Sequence, residues 1–353
     1  MNARPLRVAI VGCGAAAERL HAPALAALAS AGEVDVVALC DPDAARAASL
    51  AAVFPRAAAC TELERVAAIG PDLAIVASPA ALHAAQSSSL LDAGVHVLCE
   101  KPVAASTADA ARMVAAAERA HRLLAVGLIR RFFPSARLVH DLVASGRFGA
   151  LESASILETG GFHWPFRSAA AFVPRLTPGG ILLDLGVHVL DLLAWWFPGV
   201  RVAAYQDDAM GGAEATAVAT CEVGRARVTV RLSRDWPMPG RYELRFEHGR
   251  IVWDGVDPVS VQIDYALPAD ADVEFSAAGV PARSWDDCFR AQLENVVAAV
   301  RGESPLVVSG VDAMTSLSLV EECYRTRSLL ASPWFGADEM SAARGLASER
   351  VAQ

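Results

Sequence analysis

The chain has 353 residues, 54% of them hydrophobic and 20% charged, and a formal net charge of −9 at pH 7. At that length two domains are expected, because a single core stops growing near ~250–300 residues. The acidic balance argues against the basic face that nucleic acid needs and against the polybasic segment that an anionic membrane surface attracts. No apolar run approaches the roughly 20 residues of a membrane span, and the N-terminus shows no signal-peptide plan. The cysteines (Cys13, Cys40, Cys60, Cys99, Cys221, Cys288 and Cys323) are scattered without a CxxC pair. That usage points to reduced thiols in a cytoplasmic protein and offers no metal site.

Residues 6–11 (LRVAIV) read as a strand running into Gly12-Cys13-Gly14-Ala15-Ala16-Ala17 and a helix to about residue 30. This is G-x-G-x-x-A between a strand and a helix. The first glycine permits the tight turn, the second lets backbone approach a pyrophosphate, and a small third residue lets helix and strand pack closely. The motif alone is weak, and its setting strengthens it. The next strand, 34–40, ends at Asp41, an acid suited to the ribose 2′-hydroxyl of NAD and repulsive to a 2′-phosphate, so NAD is favoured over NADP. The plainer role for Asp41 is the N-cap of the alanine-rich helix after Pro42, and the two roles are compatible.

A βα rhythm follows. Helices are expected at 44–53, 61–68, 80–93 and 107–120, and continuous apolar strands at 72–77, 95–99 and 123–127. Such strands suit a parallel sheet covered on both faces. Two strand ends carry polar residues: Ser78-Pro79 with His83, and Glu100-Lys101-Pro102. Ligands of open α/β sheets gather outside these carboxyl ends. Lys101 stands out further, as the only lysine among 31 cationic residues. A bias toward arginine accounts for the background and not for the exception. Lysine is a compact ammonium that responds to burial, whereas guanidinium stays charged. A lone lysine after VHVL, locked by a proline, reads as a site where nicotinamide and substrate meet; the alternative is a stray surface lysine.

After 127 the rhythm changes. A helix is expected at 134–145, a strand at 151–158, and then a loop over 160–180 with Phe162, His163, Trp164, Phe166 and Phe172. Long loops in compact proteins are functional or disordered, and the aromatics favour function. Residues 181–197 (ILLDLGVHVLDLLAWWF) read as a helix that is apolar nearly all round, hence deeply buried. Asp184, His188 and Asp191 share one stripe of it. Buried charges need partners or a task. A structural pair is the stronger reading for Asp191. For Asp184 and His188, a carboxylate beside an imidazole makes a general acid/base near neutral pH. Strands at 214–222, 225–233, 241–247, 250–254 and 259–263 predict an antiparallel sheet with one polar face. Helices near 285–301 and 309–330 close the fold, and from 336 on the chain reads as a frayed tail.

The motifs VAIVGCGAAA, Ala77-Ser78-Pro79 with His83, Glu100-Lys101-Pro102, Arg130-Arg131-Phe132 and Gly179-Gly180-x-x-x-Asp184-x-x-x-His188-x-x-Asp191 occur in this order. In them the chain resembles the glucose–fructose oxidoreductase / inositol dehydrogenase / MocA (Gfo/Idh/MocA) family of NAD(P)-dependent oxidoreductases, over about residues 5–330. The resemblance implies an α/β fold: an N-terminal Rossmann domain over 1–127, then an α+β domain over 128–353 with a large open, mostly antiparallel sheet. It implies hydride transfer between nicotinamide and a secondary alcohol or ketone of a sugar, cyclitol or nucleotide-linked sugar. Carried over by position, Lys101 hydrogen-bonds the reacting oxygen, His188 exchanges its proton, and Asp184 orients His188 or shares its role. Cofactor contacts fall to Gly12, Gly14, Ala15, Ala16, Asp41, Ser78, Pro79, His83, Glu100 and Lys101. Substrate contacts fall to Arg130 and Arg131 of the shared motif and, from the aromatic loop, which departs from the family and matches no one substrate, to His163, Trp164 and Arg167. Many members have a cis bond before the proline of Glu-Lys-Pro, and a homo-oligomer, dimer or tetramer, is expected. Two other readings stay open: an NAD-dependent glycosidase working by transient oxidation and elimination, and a non-catalytic dinucleotide-binding sensor. The joint presence of Lys101, Asp184 and His188 counts against the sensor.

Overall fold

The computed structural model describes residues 4–160, 173–235, 238–265, 284–331 and 337–351. Six parallel strands make the first sheet: β1 (Leu6–Val11), β2 (Val34–Cys40), β3 (Ala58–Cys60), β4 (Leu73–Val76), β5 (His96–Cys99) and β6 (Leu124–Val126). Eight make the second: β7 (Leu151–Thr159), β8 (Arg201–Asp207), β9 (Thr216–Val223), β10 (Ala226–Ser233), β11 (Arg241–Phe246), β12 (Gly249–Trp253), β13 (Gln262–Tyr265) and β14 (Arg327–Leu329). The helices are α1 (Ala22–Ser30), α2 (Ala44–Ala51), α3 (Leu63–Ile69), α4 (Ala80–Asp92), α5 (Thr107–Ala120), α6 (Pro134–Ala144), α7 (Val187–Trp196), α8 (Trp285–Val300), α9 (Gly310–Arg325) and α10 (Ala337–Val351).

The chain divides into two compact units. The first takes the described residues of Met1–Phe132, Pro165–Thr177 and Pro281–Leu317; the second takes those of Phe133–Trp164, Pro178–Val280 and Ser318–Gln353. The first unit therefore runs five residues past the break expected at 127, and it recovers α8, which packs on α1 and on a 3-10 turn at Ile129–Phe132. Its strand order is β3-β2-β1-β4-β5-β6, the doubly wound order that reverses between β1 and β4. The apolar runs make it so: Val8, Ile10, Ile75 and Val97 are wholly buried, as strands covered on both faces require. Helix starts follow local chemistry. Ser106 caps α5 by accepting from the amide of Asp109, and Asp43 caps α2 by accepting from that of Ala45. The cap expected at Asp41 is thus Asp43, because the helix begins at Ala44.

In the second unit the sheet order is β13-β12-β11-β7-β10-β9-β8-β14, antiparallel except where β10 pairs β7 and β14 pairs β8. Strand β7 alternates, turning Ala154, Ile156 and Glu158 inward. Over the core, Trp196, Tyr242, Trp253 and Phe133 pack ring edges to faces, and the Trp196 indole N–H donates to the Ala136 carbonyl at 3.1 Å. Several sequence expectations are corrected here. The helix of 309–330 ends at Arg325, and the following residues form β14, where Arg327 Nε donates to the buried Asp207 at 2.8 Å. The tail expected from 336 holds α10, whose Ala, Glu, Met and Arg are good helix formers. The strand expected at 259–263 lies at β13, and β3, β8 and β14 have no counterpart among the expected strands. No helix of the described residues is long and apolar enough to cross a membrane.

Candidate active site

In the first unit the turn after β1 presses on the turn after β4. Gly12 has φ +92°, and a Cβ there would lie 2.6 Å from the Ser78 nitrogen and 2.7 Å from the Ala77 carbonyl carbon. Only glycine fits. At Gly14 a Cβ would meet nothing within 4 Å, so this side of the turn is an open cradle. The Gly14 carbonyl accepts from the Glu18 amide at 3.0 Å, so the helical segment begins at the cradle. Its first amides have no partners inside the helix, and such an end favours an anion. Ala17, the small third residue of the motif, is wholly buried. These features fit the pyrophosphate of a dinucleotide. Asp41, 4% exposed, stands at the end of β2 and accepts from the amides of Cys13 and Asp43, both at 2.9 Å. It ties the glycine turn to β2 and keeps a lone pair on each oxygen for a further donor. Arg46 lies 3.7 Å from it; the sequence reading missed this neighbour. Burial pushes the thiol pKa of Cys13 up to about 12, as does Asp41 beside it.

Strand β5 delivers Glu100 and Lys101 to the same end of the sheet. Glu100 Oε1 lies 2.7 Å from His21 Nε2, its Oε2 accepts from the Lys101 amide at 3.1 Å, and the Lys101-Pro102 bond is cis. Burial pushes the Glu100 pKa up. The hydrogen bond and charge of His21, the Lys101 charge and the Lys101 amide outweigh that and hold it below the ordinary carboxylate value. His83 is buried, with Nδ1 2.8 Å from the Pro102 carbonyl and Nε2 2.8 Å from the Ser78 carbonyl. Burial, the largest influence, lowers its pKa against the pull of the two carbonyls. Both ring nitrogens face backbone carbonyls, and a neutral ring donates to one of them, so His83 packs against the two loops beside the cofactor contact expected of it. Ser78 Oγ donates to Gln86 at 2.6 Å, so its backbone forms the wall of the turn.

Arg130 and Arg131 are buried in the 3-10 turn. The Arg131 guanidinium faces the Asp312 carboxylate at 3.4 Å, and Asp312 in turn accepts from the Ser309 amide at the start of α9. Arg131 therefore has an internal ion-pair partner, and a guanidinium with five N–H donors is also compatible with the substrate contact expected of it. His163, Trp164 and Arg167 lie outside the described residues.

In the second unit the expected helix of 181–197 opens as a π-turn at Leu182–Gly186 and continues as α7. Single π-turns within helices recur at functional sites. His188 (7% exposed) and Asp191 are buried, as expected. Asp184 is not: its side chain is 48% exposed and ion-paired with Arg234, just past β10. It sits in the first turn of the segment, where the carboxylate reaches solvent and a cation can approach. Glu214 was also missed. Buried beside that turn, its Oε1 accepts from the amides of Gly180 (2.8 Å) and Leu182 (3.2 Å) and from the Tyr324 hydroxyl (2.7 Å). A Cβ on Gly180 would overlap the Glu214 carbonyl. Burial raises the Glu214 pKa against the hydrogen bond from Tyr324.

Residues 6–128 match a family model described as the oxidoreductase family with an NAD-binding Rossmann fold, and residues 136–252 match the GFO/IDH/MocA C-terminal domain. D-glucoside 3-dehydrogenase of Escherichia coli is 30% identical over 208 residues, which are 57% of this chain and 57% of that protein; the match spans little more than half the relative's length. The rhizopine catabolism protein MocA of Rhizobium meliloti is 27% identical over 329 residues, 89% of this chain and 93% of that protein. The crystal structure of the WlbA dehydrogenase from Bordetella pertussis, in complex with NADH and UDP-GlcNAcA, has the same fold, with a TM-score of 0.80 at 23% identity over 92% of this chain and 96% of that one. Two models of one family match consecutive stretches of the sequence in the family's own order, and the chain belongs to the Gfo/Idh/MocA family of oxidoreductases.

Proposed function

We propose that the protein is an NAD(P)-dependent oxidoreductase that moves a hydride between nicotinamide and a secondary alcohol or ketone of a sugar, a cyclitol or a nucleotide-linked sugar. One observation carries this reading. The lone lysine leaves β5 at the sheet end where the open glycine turn leaves β1, two places away in the order β1-β4-β5. Bound NAD(P) supplies the hydride acceptor or donor. The chain's own residues do the rest. Gly14 and the amides of Ala15 and Ala16 hold the pyrophosphate, Asp41 holds a ribose hydroxyl, and the backbone at Ser78-Pro79 forms a wall. Lys101 hydrogen-bonds the reacting oxygen, and its ammonium stabilises charge that develops there. His188 takes or returns the oxygen's proton, with Asp184 as its partner and Arg130, Arg131, His163, Trp164 and Arg167 among the substrate contacts.

The substrate class draws support from the relatives' names: one acts on a D-glucoside, and another was crystallised with a nucleotide-linked sugar. We place the protein in the cytoplasm, which suits seven free cysteines. We also assign it a homo-oligomeric state, dimer or tetramer. The polar face of the eight-stranded sheet, where Arg227, Ser153 and Arg245 share a register row, is the surface for it.

The test is a panel of polyols, cyclitols, sugars and nucleotide sugars offered with NAD+ and NADP+, followed by nicotinamide absorbance. Cofactor reduction with at least one of them is expected. Tight NAD+ binding with no turnover on any would sink the enzyme reading and leave a sensor.

A further inference from the structure

His21 closes the π-turn at Ala17–His21, on the helical segment that starts at Gly14. Its side chain is 0% exposed, with the Phe289 ring edge-on at 5.9 Å. Its Nε2 lies 2.7 Å from Glu100 Oε1. A carboxylate only accepts, so in this pair a His21 Nε2–H is the donor. The buried Nδ1 has no hydrogen-bond partner among the described residues. Among the described residues Glu100 is the ring's hydrogen-bond partner, so the polar contact of this buried side chain serves that carboxylate. The carboxylate is also fixed from two other sides: its Oε2 accepts from the Lys101 amide, and its atoms lie flat on Gly127, where a Cβ would sit 3.1 Å away.

We propose that His21 is a positioning residue for Lys101. Through Glu100 it fixes the backbone that presents the ammonium, and it links that backbone to the helix that seats the cofactor's pyrophosphate. This rests on the role proposed above for Lys101. Neither the glycine motif nor Glu-Lys-Pro reveals it, because the two partners are 79 residues apart.

The single lysine makes the link directly observable, since protein labelled with 13C-lysine gives one side-chain signal. His21→Gln places an amide N–H near the position of Nε2, whereas His21→Asn is too short to reach the carboxylate. In cofactor-free protein, H21N is expected to displace the lysine signal and to abolish its response to NAD+, and H21Q to restore both. Where turnover is measurable, H21N lowers kcat about 10–100-fold, as expected of a misplaced reacting group, with KM and NAD+ affinity within about threefold of the parent. Glu100→Gln, whose one amide oxygen can accept from only one of the two groups that the carboxylate serves, His21 and the Lys101 amide, displaces the signal in the same direction. A lysine signal indifferent to residue 21 or to Glu100→Gln, or one that responds alike to both His21 amides, overturns the proposal. A parent without turnover on any polyol or sugar would defeat the proposed function, and the lysine signal would still decide this one.

Discussion

Glu100 carries opposing influences. Burial favours its neutral acid, while His21 and Lys101 favour the carboxylate, and the outcome is a pKa below the ordinary 4.5. A carboxylate whose pKa is depressed by folding stabilises fully above its unfolded value, and that stability is lost as pH falls through the folded value. Tm of the parent is therefore expected to fall steeply below about pH 4.5. Glu100→Gln is expected to start lower at neutral pH and to show a shallower acid slope. Thermal melts across the acid range check this, and parallel curves for the two proteins would contradict it. Why Lys101, Gly12, Gly14 and Asp41 were legible in the sequence, and His21, Glu214 and Arg234 were not, is a matter of distance. The first group stands at strand ends that apolar runs announce. The second acts through hydrogen bonds to residues 79, 34 and 50 positions away, which leave no local pattern.

At the scale of elements, two glycines are expected to separate cofactor binding from stability. Gly14→Ala adds a methyl to open space. It is expected to leave unfolding free energy within about 0.5 kcal/mol of the parent and to weaken NAD+ binding at least about tenfold, because the backbone can no longer approach a pyrophosphate. Gly180→Ala drives its methyl into the Glu214 backbone, beside the π-turn that carries Asp184. A loss on the order of 1–3 kcal/mol is expected. Urea unfolding and calorimetric NAD+ titration of both variants check the pair; a destabilised Gly14→Ala with normal NAD+ affinity would contradict it. Elements announced by a strong periodic signal were readable: α5 occupies the expected 107–120, between the Ser106 cap and His121. Short or exposed ones were not. Strand β3 has three residues in an alanine-rich stretch, β8 is exposed along much of its length, and β14 is held by Arg327 on Asp207, 120 residues away.

At the scale of the molecule, the strand order β3-β2-β1-β4-β5-β6 puts the glycine turn, Ser78-Pro79 and Glu100-Lys101 at the ends of three neighbouring strands. The sequence changes rhythm after 127, and the first stretch of the first unit ends at Phe132. The return of α8 to that unit has no sequence signal, because the helix packs on α1 across more than 250 residues of chain. The proposed function gives the β5 end a place for one lysine that arginine is expected not to fill. A guanidinium keeps the charge but presents a planar fork on a different stem. The most direct measurement is the rate of single-turnover hydride transfer by Lys101→Arg and by the parent, with cofactor and substrate saturating. The expected result is a rate at least about 100-fold lower in the variant, with NAD+ affinity within about threefold. An arginine variant as fast as the parent would contradict the role given to Lys101.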